Sequence, residues 1–192
     1  DARAVSLASS RIALGDAPAG SGLLLTKALL QQVGGASELT LRSYGSIDLY
    51  ENASLDLTTR DDGKGQLVDR VDANGKPVLS ALTLDTGAIV SYLAAGQKEE
   101  LVAHQISLRN IGSALPATGS GQGELTLSTK RIDASTGDLV LQAGDQLIAG
   151  FTKVKLNAGT QVVAAGDGKL QSDSGLFKIE SPRVTARDKV KY

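Results

Sequence analysis

Few side chains in this sequence have the type and spacing to do chemistry. Asp61 and Asp62 are adjacent, and Asp85, Asp138 and Asp145 are further carboxylates. Paired carboxylates cleave polysaccharides, commonly with a basic residue to hold a sugar acid and aromatic rings to stack on. Asp61 and Asp62 stand beside Gly63, which suits a solvated turn, and Asp138 and Asp145 fall at corners, where Asp bonds to nearby backbone. Tyr44, Tyr50 and Tyr92 are the tyrosines outside the C-terminus that could stack on a sugar, and Tyr44 and Tyr50 could lie near one another on adjacent faces. Tyrosine is equally a good strand former. His104 is the single histidine and cysteine is absent, so a zinc cluster of His and Cys is excluded and a Ser-His-acid triad has one place to form. His104, in "LVAHQISL", is expected to face out of a strand. The Asp/Gly-rich "DRVDANG" and "GDGKLQSDSG" match neither the EF-hand loop nor the nonapeptide calcium repeat. Arg183, Arg187, Lys189 and Lys191 could touch a sulfated glycan, but Asp188 interrupts them and a frayed terminus accounts for them equally. The candidate ligand contacts are Tyr44, Tyr50, Asp61, Asp62 and Asn74. No catalytic residue, cofactor or metal is assigned.

These residues need a scaffold, and composition narrows it. The chain has 192 residues, 41% hydrophobic and 21% charged, enough to bury a core in a single domain spanning 1–192. A net charge of -1 argues against nucleic acid as a partner. No run of 18 apolar residues is present, so no membrane insertion is expected. Methionine is absent and the chain begins "DARAV", which predicts a mature form or an excised piece of a larger exoprotein. Aromatics are only 3%, while 22 glycines point to many corners rather than long helices.

From Gly123 onward the apolar residues keep time. Leu125, Ile132, Leu139, Leu147, Val154, Val162, Leu170, Phe177 and Val184 follow one another at steps of seven or eight. Leu127, Leu141, Leu156 and Ile179 add a second apolar residue two places on, the period of a strand with one buried face. Every third mark returns after 22 or 23 residues. Three short strands per repeat define a solenoid. The expected fold is all-β: a right-handed parallel β-helix of seven or eight coils. All these residues except Ile179 should be interior, with Leu147 under Leu170 and Val154 under Phe177. A sandwich or barrel is the competing reading, but the corners are mostly small residues that bend the chain without reversing it.

Three stretches interrupt the rhythm. In "LLLTKALLQQVGG", Thr26 can cap a two-turn helix over 27–33 that Gly34 or Gly35 ends; a continuous buried strand is the alternative. Residues 60–82 read as a protruding insertion, with Asn74-Gly75 the strongest hairpin signal in the chain. Residues 110–123 form a Gly/Ser/Pro-rich loop.

The phrases "RIALGDAPAGSGLLLTKALLQQVGGASELTLRSYGSIDLY", "VDANGKPVLSALTLD" and "GELTLSTKRI" resemble the shafts of filamentous haemagglutinin-like exoproteins. The resemblance runs from about Ala4 to Arg187. It implies an internal β-helical segment of a bacterial adhesin exported by two-partner secretion. Its partners would be a host-cell or bacterial surface glycan or protein, and a dedicated outer-membrane transporter. A carbohydrate-active β-helix enzyme and a receptor-reading segment of a contact-dependent toxin are the other readings. The non-catalytic shaft predicts carboxylates scattered over corners and possible end-to-end self-contact; the enzyme predicts two of them on one solvent face.

Overall fold

A computed structural model describes residues 4–64, 66–112, 118–130 and 137–192. The chain starts with β1 (Ala4–Ser9), β2 (Ile12–Leu14), β3 (Leu23–Leu25) and α1 (Lys27–Val33). It continues with β4 (Glu38–Ser43), β5 (Ser46–Leu49), β6 (Leu55–Asp56), β7 (Thr59–Asp61) and β8 (Leu67–Asp69). Next come β9 (Ala81–Asp85), β10 (Ala88–Ser91), β11 (Lys98–Val102), β12 (Gln105–Arg109) and β13 (Gly123–Ser128). The last strands are β14 (Asp138–Leu141), β15 (Gln146–Ala149), β16 (Phe151–Asn157), β17 (Gln161–Ala164), β18 (Leu170–Ser172), β19 (Leu176–Glu180) and β20 (Val184–Ala186).

Among the described residues the strands form three parallel sheets and one antiparallel pair. The first sheet runs β1-β4-β9-β12-β14-β17-β20, the second β18-β15-β10-β5-β2-β3, and the third β19-β16-β13-β11-β6. The chain thus visits the sheets in rotation: β4, β5, β6; then β9, β10, β11; later β14, β15, β16 and β17, β18, β19. Each such pass is a circuit.

In-register pairing turns the sequence period into columns of apolar side chains. Leu39, Leu82, Ile106, Leu139 and Val162 succeed one another across the first sheet. Ile12, Ile47, Ile89 and Ile148 do so across the second, and Leu55, Leu101, Leu127 and Leu156 across the third. All are buried. Removing their apolar surface from water is the main favourable term holding the circuits together.

Several sequence expectations are corrected here. Leu147 is half-buried and pairs with Gln171, while buried Gln146 pairs with Leu170 and Ile148 fills the interior. Two apolar residues in a row left the inward one ambiguous, and a one-residue slip exchanges the faces. The neighbours decide it: Ile148 falls in register with Ile89, and Gln146 Nε2 donates to the carbonyls of Thr86 and Arg109. Leu125 lies beside Val154 in the third sheet, not beside Leu147, because the chain between β13 and β16 exceeds one repeat. Val154 pairs with Phe177 as expected, yet Phe177 is 37% exposed and Val184 65% exposed; Leu170 is half-buried. Their strands have a neighbour on one side only. Ile132 lies outside the described residues.

The helix spans Lys27–Val33, as Thr26 and Gly34 predict; Thr26 Oγ1 accepts the Leu29 N–H. Leu30 is its buried contact, while Leu29 stays 40% exposed. The 60–82 insertion departs from the expectation. Its paired strands are β7 and β8, joined through 62–66. Asn74-Gly75 tips a smaller loop closed by a single antiparallel bridge between Val71 and Pro77.

Candidate functional site

The expected site residues do not converge. Tyr50 stacks on Tyr92 from the next circuit, with centroids 4.8 Å apart and planes 6° from parallel. Each ring therefore covers one face of the other, a stacked aromatic pair between circuits. Tyr44 is 64% exposed at the corner after β4. Asp62 serves its own turn, its Oδ1 accepting the N–H groups of Lys64 and Gln66. Asn74 stands at the exposed loop tip, and the Asp61 side chain lies outside the described residues.

His104 does not face out; it is 5% exposed. Its Nδ1 accepts the Ser80 backbone N–H at 3.1 Å and lies 3.0 Å from Ser80 Oγ. Nδ1 is thus shared with a backbone donor, and Ser80 is itself 3% exposed. The contact ties Ser80, just before β9, to His104, just before β12. It borders a cleft of about 440 Å³ that Gln105 and Asp138 also line. Asp138 accepts a hydrogen bond from Gln161 Nε2 at 3.0 Å.

Asp85, an available acid in the sequence, is a structural ion. It is 2% exposed, and its Oδ2 lies 2.8 Å from Arg42 Nε and 3.0 Å from Arg109 Nε. Register explains the trio, since Arg42, Asp85 and Arg109 are direct neighbours across β4, β9 and β12. Like charges directly opposite on neighbouring strands repel, so a column that alternates in sign is favoured. Lys98, Glu124 and Lys153 repeat the device on the third sheet. Buried Asp48 is neutralised likewise by Arg11, with Ser46 Oγ donating at 2.6 Å.

The larger concave feature lies between α1, the β7–β8 pair and the free side of β6. This groove holds about 620 Å³ and is lined by Lys27, Gln31, Asp56, Arg60, Lys98, Glu99 and Glu100 over a floor that includes Leu30 and Leu55. Two of its carboxylates are pinned. Asp56 accepts the N–H and hydroxyl of Thr58. Glu99, 6% exposed, accepts the Asn52 N–H at 2.9 Å and the Ser54 hydroxyl at 2.5 Å. Burial, and then the nearby charge of Asp56, push the Glu100 carboxyl upward. Two carboxyl groups held in different environments of one groove are an arrangement acid catalysis uses. Fixed acceptors flanked by cations also suit a ligand rich in hydroxyl groups.

Sequence reasoning missed this groove because its lining comes from four separate stretches. One signal was present. In "KEELV" the alternation that buries Leu101 also places Glu99 on the inward face, and an inward acid in a strand asks for an explanation. No family model, no curated protein and no solved structure matches this chain.

Proposed function

We propose that the chain is a right-handed parallel β-helix, serving as a non-catalytic segment of a large secreted bacterial surface adhesin of the filamentous haemagglutinin type. One observation carries the reading: each sheet keeps an apolar inward column in register from circuit to circuit. Such a scaffold gains about 4.8 Å of reach per circuit without needing a new kind of contact. The resemblance of its phrases to those of haemagglutinin-type exoproteins supports the same assignment, and with it export through a dedicated outer-membrane transporter. The groove between α1 and the β7–β8 pair is the contact site in this reading, facing a glycan or protein of a host or bacterial surface. Phe177, Ile179 and Val184 are uncovered on the last strands; in this reading further circuits of the parent adhesin cover them, and the segment by itself makes end-to-end contact between copies.

A glycan array and whole-cell binding test the proposal, using the native chain and a variant with Asp56→Asn and Lys27→Gln. Binding by the native chain that the variant loses supports it. No binding to any glycan, host cell or bacterium overturns it.

Asp56 and Glu100, facing one groove, favour a second reading, a carbohydrate-active enzyme. Incubation with pectin, glycosaminoglycans and bacterial exopolysaccharides separates the two. Oligosaccharide release that Asp56→Asn or Glu100→Gln abolishes would make the chain catalytic.

A further inference from the structure

We infer that Asn74 is a site of spontaneous succinimide formation, so that the tip of the 71–77 loop changes its charge and backbone with time. This goes beyond the proposed function and does not depend on it. The chain has four asparagines, at 52, 74, 110 and 157. Three are held by their side chains: Asn52 Nδ2 donates to Asp16 Oδ2, Asn110 Nδ2 to the Asp145 carbonyl, and Asn157 Nδ2 to Ser128 Oγ. They are followed by Ala53, Ile111 and Ala158, whose side chains crowd the backbone nitrogen that must attack. Asn74 differs on both counts. It is exposed, only its backbone N–H is engaged, by Asp72 Oδ1 at 2.8 Å, and glycine follows it. Gly75 has φ +75°, and space where a Cβ would stand is empty to 4 Å.

The chemistry needs water alone. The deprotonated Gly75 nitrogen attacks Asn74 Cγ, a C–N bond closes the five-membered ring, and the Cγ–Nδ2 bond breaks to release ammonia. Water then opens either ring carbonyl. One product carries an ordinary aspartate at position 74; the other is an isoaspartyl link that carries the chain through the side chain. Nothing is oxidised or reduced, and water is exchanged for ammonia. The Gly75 N–H donates to the Asp72 carbonyl at 3.0 Å. That bond must open first, and at an exposed tip water replaces it at little cost. The isoaspartyl form adds a backbone carbon between Asp72 and Lys76; in the unmodified loop the N–H groups of Asn74 and Lys76 share one Asp72 carboxylate oxygen. It also places a second negative charge beside Asp72.

The folded chain and a synthetic peptide of residues 70–79 are incubated together at mildly alkaline pH. Peptide mapping by mass spectrometry and labelling by protein isoaspartyl methyltransferase follow the products. Conversion at Asn74 in the folded chain, at a rate comparable with the peptide and ahead of every other asparagine, is expected, with Asn74→Gln abolishing the label on the peptide that carries position 74. The inference is overturned if Asn74 stays intact while the peptide converts, or if another asparagine reacts first.

Discussion

Arg70 Nη1 lies 2.6 Å from the carbonyl oxygen of Ala36, just past the end of α1. The same guanidinium donates to the carbonyls of Gly34, Gly35 and Leu57, and the residue is 8% exposed. A helix ends in carbonyls without partners and a partial negative charge, and a cation there answers both needs. Arg70→Met should destabilise the fold by on the order of 3 kcal/mol, because buried carbonyls lose their donor. Urea denaturation measures the loss, and hydrogen exchange should show α1 opening first. Unchanged protection of α1 would mean that the contact does not hold the helix.

The 60–82 insertion is therefore two things at once. Its loop tip is expendable, whereas Arg70 is not. Replacing residues 72–76 with a short glycine linker should leave the denaturation midpoint near that of the native chain. Deleting through Arg70 should lower it as far as Arg70→Met does. Soluble folded protein from the first variant and a destabilised second is the expected pair of results.

Register makes a sharper test at adjacent residues. Ile148→Ala should cost roughly 2–5 kcal/mol, the range for an unfilled core site. Leu147→Ala, at a half-buried position, should cost clearly less. Equal losses in thermal or urea unfolding would contradict the pairing of Ile148 with Ile89.

Asp85 holds two guanidinium groups on neighbouring strands. Asp85→Asn keeps the shape but leaves Arg42 and Arg109 to repel each other, and about 3 kcal/mol should be lost, as when one partner of a buried ion pair is removed. Adding Arg42→Met to that variant should restore part of the loss. A double-mutant cycle without coupling would show that the trio is not an electrostatic unit.

Two glutamates should respond oppositely to acid. Glu100 is raised in the fold, so its contribution is full below the unfolded pKa and is lost as pH rises through the folded one. Glu180, held at about 2 by Lys155 and Lys178, contributes above its ordinary 4.5 and loses that as pH falls toward 2. Glu100→Gln should raise the melting temperature near neutral pH, with no gain below about pH 4. Glu180→Gln should lower it slightly near neutral pH, and salt should erase the difference. Melting curves across pH and salt check both signs.

Legibility in the sequence followed locality. Alternation at i, i+2 places Leu125, Leu127 and Val154 correctly because each strand reports its own inward face. Thr26 and Gly34 bound α1 because capping is a property of a few adjacent residues. Whatever depends on a neighbouring circuit was harder to read. Leu147 against Ile148 is settled by Ile89, and His104 is turned inward beside Ser80, 24 residues away. The groove joins residues from 27 to 102. Register across strands fixes these, and alternation within one strand carries no information about it.

The second sheet passes directly from β10 to β15, while the first goes β9-β12-β14 and the third β11-β13-β16. Between the same two circuits, then, two sides of the stack take two strand spacings and the remaining side takes one. The difference is about 4.8 Å. The glycines at 119 and 121 occupy the pinched corner, where a Cβ would come within 2.9 Å of Ser91 O or 2.3 Å of Ser91 Oγ. In the proposed β-helix the flank with one spacing fewer would be the shorter one. Repeated at intervals, such omissions would curve a column of circuits into an arc, and the glycines that permit the pinch would set where it bends.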